Sequence, residues 1–339
     1  MQRNHQLDAV KFFLILGVVL GHTIERSRDA PGFDLLYHWL YLFHMPAFIF
    51  LSGMVSSEVI DGKRARGLLY CVLLPLMVHQ LLLSGLASYL SGGAWKLSLS
   101  TPAWAMWYLL SLLCWRLMLP LFAVLRAPLL VAVLVSLVAG LDSRIGTEWS
   151  LSRTFALLPF FITGYLWRKQ QAQLQLPSFD WRLALLGLLQ LIAVAYIAQR
   201  VNIQWLYWKT SYSGLGVDAM TGMVCRGALL VVGVLGGWCF ISVVQRFRGV
   251  NEKISEFGVT SMAPYLLHIY FLLIAQKYGM ANWLETISPL AAWCIVLTCS
   301  LAMTIVFAQI GRRWTWLFDF SWLGQVTEYV AKQLNKKFI

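Results

Sequence analysis

The chain has 339 residues, of which 59% are hydrophobic and only 12% charged, and its formal net charge is +12. This composition excludes an ordinary soluble globular domain, in which roughly a quarter of the residues are charged. Such a charge would suggest nucleic-acid binding in a soluble protein. Here the basic residues lie in short connections between apolar runs, which indicates contact with anionic lipid headgroups and no nucleic-acid partner.

Apolar runs long enough, or nearly so, to cross about 30 Å of hydrocarbon recur along the whole chain. They lie at 7–24, 36–57, 68–90, 103–125, 127–141, 152–167, 181–199, 222–244, 257–279 and 286–309. We therefore predict an all-α, polytopic membrane protein with about ten transmembrane helices. Lysines and arginines in the connections show a roughly twofold excess on the side of the N-terminus, which places both termini in the cytoplasm.

Two regions follow from this layout. Residues 1–311 form the transmembrane domain, and residues 312–339 mix aromatic residues with a late basic cluster, as expected of an amphipathic tail on the cytoplasmic membrane surface. The six cysteines lie in or beside apolar runs, without CxxC or metal-ligand spacing. No disulfide framework and no metal site are predicted.

The first apolar run carries ionisable side chains on one helical face. Lys11 and His22 are eleven residues apart, so they are nearly eclipsed at 100° per residue and about 16 Å apart along the axis. Asp8 and Glu25 lie within about 60° of that line by the same geometry. Ionisable groups inside a span are costly, which indicates a functional site.

The second run adds a histidine beside a proline. In FHMPAFIFLSG, Pro46 removes a backbone donor and frees the carbonyl of Leu42, which predicts a kink beside His44. With the N-terminus inside, His22 and His44 both lie in the outer halves of their helices. We expect them to share a polar cavity that opens outward, in which an imidazole can accept a proton near neutral pH. The alternative for a lone intramembrane histidine such as His268, in the ninth run, is that it makes an interhelical hydrogen bond and has no further role.

Four basic residues lie toward the opposite, inner side. Arg116 is in the inner half of the fourth run, and Arg64 and Arg66 precede the third. Together with Lys11 they are predicted to form a cationic pocket for a phosphate-bearing ligand. The alternative is that these side chains extend to the lipid headgroups.

The longest outer connection, 200–221, is rich in aromatic residues, among them Trp205, Tyr207 and Trp208. One interpretation is an interfacial aromatic belt. The other is a stacking surface for the apolar faces of sugar rings. Composition does not separate the two.

These residues resemble the membrane acyltransferase 3 family, whose members O-acetylate surface and exported polysaccharides. Leu7, Asp8, Lys11 and His22 are similar to its LDGLRG…H pattern, with lysine in place of the more frequent arginine, as in its fucose-O-acetylase-like branch. FHMPAFIFLSG resembles the second-span signature. Weaker similarities are KRARGLLYCVLLP at 63–75, LPFFITGYLWRK at 158–169 and GVTSMAPYLLH at 258–268.

The resemblance implies an O-acyltransferase of the bacterial inner membrane, with acetyl-CoA as the cytoplasmic donor and no metal. The acceptor would be a sugar hydroxyl of a polysaccharide or of its lipid-linked precursor, and other polysaccharide-assembly proteins are further candidate partners. His22 would be catalytic, held by Glu25 or His44, while Lys11, Arg64, Arg66 and Arg116 bind the donor. Trp205, Tyr207, Trp208 and His268 would contact the acceptor.

Several alternatives stay open at this point. Direct transfer and a covalent acetyl-histidine are both compatible with the residues. The choice of acetyl over succinyl comes from the family alone. Buried charges in about ten spans also suit a transporter or flippase of a sugar or lipid-linked glycan, although no internal repeat is found. A non-catalytic scaffold in a polysaccharide-assembly complex is the third reading.

Overall fold

The computed structural model describes residues 4–95, 97–171, 175–178, 180–327 and 329, with the side chains of 248–253 excepted. Within these residues the chain is helical and contains no strand. The first eight helices are α1 (His5–Ile24), α2 (Phe33–Met54), α3 (Gly62–Leu68), α4 (Leu74–Ser91), α5 (Trp107–Ala123), α6 (Pro128–Val138), α7 (Leu151–Ala156) and α8 (Leu158–Lys169). The remaining helices with assigned bounds are α9 (Trp181–Ala198), α10 (Gln204–Tyr207), α11 (Ala219–Arg246), α12 (Arg248–Val259), α13 (Met262–Lys277), α14 (Met280–Thr286) and α15 (Pro289–Arg313).

Helices occupy all ten predicted spans. Among the described residues, seven helices are each long and apolar enough to cross a membrane. These seven are α1, α2, the continuous stretch Gly62–Ser91, Trp104–Ala123, α9, α11 and α15. The other three predicted spans hold shorter helices: α6, the pair α7–α8 and α13. Pro159, in the first turn of α8, lacks a backbone donor and falls at the break of that pair. The all-α, polytopic prediction is thus confirmed, whereas ten crossings and two cytoplasmic termini stay predictions.

The first helix lies in the centre of the bundle. α1 contacts α2, α11, α12, α13 and α15, and its Leu14, Ile15 and Val19 are almost completely buried. A largely apolar helix is expected at such a position, and its few ionisable side chains then meet neighbouring helices. By contrast, α9 leaves Leu186 62% exposed, as expected of a surface in contact with lipid.

Two glycines let α2 and α8 touch along their backbones. A Cβ on Gly53 would overlap the carbonyl of Phe161, and a Cβ on Gly164 would overlap that of Phe50. Small residues at a crossing allow close packing of membrane helices. The glycines of FHMPAFIFLSG and LPFFITGY therefore fix α2, which carries His44, against α8.

α12 and α13 run alongside α1 in the same direction. His5 Nδ1 lies 2.9 Å from Ser255 Oγ, and Gly258 packs on the backbone of Asp8 with no room for a Cβ. After the break at Thr260 and Ser261, α13 continues along the C-terminal half of α1. This arrangement brings His268 of α13 beside His22.

The described part of the tail folds back on the third predicted span. The Phe320 N–H donates to the Tyr70 carbonyl at 3.1 Å, and Cys71 Sγ lies 3.4 Å from an Asp319 carboxylate oxygen. The Phe318 ring is within 9° of parallel to the His79 imidazole. The tail prediction also covers 328 and 330–339, which lie outside the described residues.

Candidate functional site

A polar cavity of about 280 Å³, called the histidine cavity below, lies at the end of the bundle where α1 ends. His22 of α1, His44 of α2 and Glu25, which directly follows α1, all line it. The start of α5, α7 and the connection after α10 complete its wall. The three residues predicted to be catalytic are therefore brought together in one cavity.

His22 is held by a second histidine. Its Nδ1 lies 2.9 Å from Nε2 of His268, and the two rings are within 13° of parallel. His268 is completely buried, and its own Nδ1 lies 2.7 Å from the carbonyl oxygen of Pro264. The side chain predicted to contact the acceptor is thus placed behind His22.

The Pro264 carbonyl fixes the protons of this pair. A carbonyl oxygen only accepts, so the hydrogen bond assigns a proton to Nδ1 of His268, and its Nε2 must be an acceptor when the ring is neutral. Nδ1 of His22 then donates to that nitrogen. Nε2 of His22 is left without a proton, as a general base requires.

His44 is oriented in a similar way but by its own helix. Its Nδ1–H donates to the Leu40 carbonyl at 2.6 Å, and the ring meets Tyr41 edge-on, with centroids 4.8 Å apart. No hydrogen bond joins His44 to His22 in the described structure. His44 therefore lines the cavity as a second neutral imidazole, while His268 makes the contact predicted for it.

Glu25 is sequestered at the end of α1. Burial raises the pKa of its carboxyl, while the Trp104 indole and nearby basic side chains act in the opposite direction. Its Oε2 is buried and makes no hydrogen bond within the described residues. The predicted contact of Glu25 with His22 is not present, and Glu25 instead presents an unpartnered carboxyl oxygen near the cavity.

The aromatic connection divides between two cavities. Tyr207 and Trp208 line the histidine cavity, and the Tyr207 hydroxyl is 2.9 Å from that of Tyr37. Trp205 lines a separate apolar cavity of about 280 Å³ between α2, α9 and α11. Two of the three predicted stacking residues therefore share the cavity with His22.

Backbone strain concentrates around this end of the bundle. Trp104 and Trp208, both in the cavity wall, have φ values of 39° and 57°, and Trp149 and Ser150 have φ values of 51° and 55°. Non-glycine residues seldom adopt positive φ, and such strain tends to occur at functional sites. The wall is thus held in a conformation that its residues would not adopt alone.

The opposite end of the bundle holds a cavity of about 260 Å³, called the arginine cavity below. Arg64 and Arg116 both line it, together with Ser56 and Ser57. Arg64 also pairs with Asp61 at 3.1 Å, whereas the buried Nε of Arg116 has no hydrogen-bond partner in the described part of the chain. Two of the predicted donor-binding residues therefore face one space.

Arg66 lines a neighbouring cavity of about 250 Å³, together with Lys63 and Gly324 of the tail. Gly67 and Cys71 line both cavities, and Cys71 lies in a π-helical segment (Leu69–Leu73) that interrupts the helix. π-Segments are often found at functional sites. The predicted basic pocket is thus a pair of adjacent spaces.

Lys11 lines neither of these spaces. Its Nζ pairs with Asp8 at 3.1 Å. On the same stripe of α1, Ile15 and Val18 separate it from His22 and pack into the core between the two ends of the bundle. The sequence pattern thus aligned Lys11 with His22, but the structure does not group it with the arginines.

A short barrier separates the two ends. The Tyr108 hydroxyl, in the wall of the histidine cavity, lies 2.7 Å from Ser52 Oγ, and Ser56, one turn further along, lines the arginine cavity. The Tyr265 hydroxyl donates to the Ala105 carbonyl beside it at 2.5 Å. The two cavities share no lining residue, and the Ser52–Tyr108 contact lies between a residue of one wall and a residue one helical turn from the other.

Sequence reasoning missed several residues of the histidine cavity. Arg153 and Lys209 line it, as do Trp107 and Tyr108. Arg153 lies in an apolar run six residues before PFF, and an arginine in such a run was a usable signal. No group of three or more metal-ligating side chains is present among the described residues.

The comparisons with known proteins agree with this architecture. No curated protein and no solved structure matches the chain. Residues 4–309, nearly the whole chain, match the family model that is described as an acyltransferase domain. That span includes both cavities and every helix from α1 into α15. This polytopic membrane protein therefore belongs to the acyltransferase 3 family and is an acyltransferase.

Proposed function

We propose that the protein transfers an acetyl group from cytoplasmic acetyl-CoA to a sugar hydroxyl of a surface or exported polysaccharide, or of its lipid-linked precursor, on the periplasmic side of a bacterial inner membrane. The observation that carries the proposal is the His22–His268 pair, since it leaves an unprotonated Nε2 in a polar cavity. The arginine cavity at the other end suits the phosphates of the donor.

His22 acts as the general base in this scheme. Its Nε2 takes the proton of the sugar hydroxyl as that oxygen attacks the thioester carbonyl, forming the new C–O bond. The C–S bond then breaks, and the proton passes from Nε2 to the sulfur, which gives the acetyl ester and free CoA. His268 keeps its Nδ1–H on the Pro264 carbonyl and accepts the Nδ1–H of His22 throughout.

The donor spans the bundle. Arg64, Arg116 and Arg66 bind its phosphates, and the pantetheine arm carries the thioester toward His22. The Ser52–Tyr108 contact lies across this route, so the phenol of Tyr108 must swing aside when the arm enters. Tyr207 and Trp208 present aromatic faces to the acceptor sugar.

Substitution of His22 tests the proposal. We expect His22→Ala to lose about 10²–10⁴-fold in transfer rate, because the base is removed. The measurement is acceptor-dependent CoA release by purified protein in detergent with labelled acetyl-CoA. His5→Ala is the matched control, since His5 is exposed on the same helix and far from the cavity.

Two outcomes would contradict the proposal. Wild-type activity of His22→Ala would remove His22 from the mechanism. Uptake of a sugar or lipid-linked glycan by proteoliposomes, without any acyl transfer by the wild-type protein, would establish a transporter.

A further inference from the structure

The wall of the histidine cavity holds two cations that the proposed reaction does not use. Arg153 projects from α7, its Nε donates to the Tyr207 carbonyl at 3.0 Å, and its guanidinium carbon lies 4.8 Å from the Trp107 ring centroid. Lys209 Nζ lies 5.1 Å from the Tyr207 ring centroid. Both side chains are therefore held by aromatic groups and backbone.

Neither cation has a carboxylate partner among the residues that the structure describes. Within the described residues, no ion pair of 4.0 Å or less joins Arg153 or Lys209 to an acidic side chain. The Nε bond is the one hydrogen bond that Arg153 makes in this part of the chain, so both terminal nitrogens remain available to a ligand. Both side chains are only partly exposed, and a cation partly removed from water without an ion-pair partner is costly, which indicates a binding role.

The charge of the cavity is positive even if Glu25 is ionised. Glu25 is the only acidic residue in the described wall, and it faces two cations. Burial lowers the pKa of Lys209, and the positive charge of Arg153 lowers it further. An anion in the cavity would relieve this repulsion.

We infer that the acceptor carries an anionic group, a carboxylate or a phosphate, which Arg153 binds through its two terminal nitrogens while Lys209 contacts it from the outer connection. This inference rests on the proposed function, because it names the acceptor class of the same site. A planar guanidinium matches two oxygens of such a group at once. The anion then fixes the sugar so that a neighbouring hydroxyl meets Nε2 of His22.

The test compares matched acceptors. Wild-type protein is assayed with a glucuronic-acid oligosaccharide, a sugar phosphate and the corresponding neutral glucose oligosaccharide, each with labelled acetyl-CoA. We expect one or both anionic acceptors to be strongly preferred, and the preferred one identifies carboxylate or phosphate. Arg153→Gln should raise the KM for that acceptor by about 10- to 100-fold, with Arg153→Lys restoring part of the loss and the KM for acetyl-CoA unchanged. Lys209→Gln should give a smaller increase.

Arg144→Gln is the control, because Arg144 is an exposed arginine paired with Asp142 at 2.8 Å. Equal use of neutral and anionic acceptors by the wild-type protein would overturn the inference. So would an equal fall in kcat for both acceptor types in Arg153→Gln, since that result indicates stabilisation of the reaction's own oxyanion.

A binding measurement separates this inference from the proposed function. Calorimetry with His22→Ala and the same oligosaccharides reports binding without turnover. If the wild-type protein never transfers acetyl, but the oligosaccharides bind in an anion-dependent way that Arg153→Gln abolishes, acetyl transfer is refuted and the anionic site is retained. If the wild-type protein transfers acetyl to neutral acceptors alone and binds no anionic oligosaccharide, the anionic site is refuted and acetyl transfer is retained.

Discussion

At the scale of single residues, the tautomer of His22 is set by a carbonyl oxygen that it does not touch. The Pro264 carbonyl fixes the proton of His268, and His268 in turn fixes the proton of His22. A neutral imidazole in this position orients the base without adding a charge. In the proposed mechanism His268 is therefore a positioning residue, whose effect is measured through the activity of His22.

We expect His268→Ala to lower kcat by about 10²-fold, because the His22 ring is then free to rotate and change tautomer. The KM for the acceptor should change little. His268→Gln keeps an oxygen that can accept from His22 Nδ1 and should recover part of the rate. The measurement is steady-state acetyl transfer by the three proteins. Equal losses in both variants would indicate a packing role alone.

The burial of Glu25 predicts how the stability of the protein depends on pH. Burial raises the pKa of its carboxyl in the folded protein above that of the unfolded chain. The folded state therefore holds the proton more tightly. The stability contributed by this group falls as pH rises from the unfolded-state pKa through the folded-state pKa. Glu25→Gln should thus melt at a higher temperature than the wild type, by a margin that grows from acidic to mildly alkaline buffer. Asp29→Asn, at an exposed carboxylate nearby, is the control. A margin that is constant with pH would contradict the prediction.

The sequence was sufficient to single out His22 and His44, because both lie in apolar runs and one shares a helix face with other ionisable groups. It was not sufficient to identify the partner of His22, which is 246 positions away on α13. Spacing along one helix predicts a common face but does not predict which helix packs on it. Lys11 was grouped with Arg64, Arg66 and Arg116 for the same reason.

At the scale of elements, the crossing of α2 and α8 positions His44. Backbone contact at Gly53 and Gly164 leaves no space for a methyl group on either helix. The two glycine-containing motifs, which are far apart in the sequence, therefore meet in the structure. Their pairing explains on physical grounds why glycine is needed at both positions.

Gly53→Ala and Gly164→Ala should each destabilise the bundle by about 1–3 kcal/mol, because the new methyl overlaps a backbone carbonyl that cannot move independently. Thermal unfolding in detergent is the measurement. Gly85→Ala in α4 is the control, since its Cβ would meet no described atom within 4 Å and helix propensity favours alanine. Unchanged melting temperatures of Gly53→Ala and Gly164→Ala would mean that α2 and α8 can move apart at little cost.

The element boundaries were predicted with mixed success. Proline in the first turns of α6, α8 and α15 coincides with helix starts, as a missing backbone donor leads one to expect. The start of α12 at Arg248, before the predicted span 257–279, and the break between α12 and α13 were not predicted. Thr260 donates its hydroxyl to the Ala308 carbonyl of α15 at that break, and such a tertiary contact leaves no periodic signal.

At the scale of the whole molecule, two cavities lie at opposite ends of one bundle and are separated by a thin layer of side chains. Tyr108 and Ser52 make a polar contact in that layer. A transferase that works across a membrane needs a passage for the acyl group but must exclude water from the thioester.

Tyr108→Ala should weaken this exclusion. With the phenol removed, the two cavities are expected to join, and water should replace the sugar hydroxyl as the nucleophile. Acceptor-independent hydrolysis of acetyl-CoA should then rise relative to acetyl transfer, and Tyr108→Phe should change this ratio less. The ratio of released CoA to acetylated product measures the effect. A ratio that stays at the wild-type value would show that other residues form the barrier.

The central position of α1 bears on how the protein is made. The helix α1 is synthesised before α12, α13 and α15, and these later helices enclose it in the finished bundle. Until then its ionisable stripe lacks the neighbours that shield it in the finished bundle, and the imidazole pair is incomplete. The ionisable side chains of α1 must therefore stay in the bilayer without these partners until α13, which carries His268, has been made.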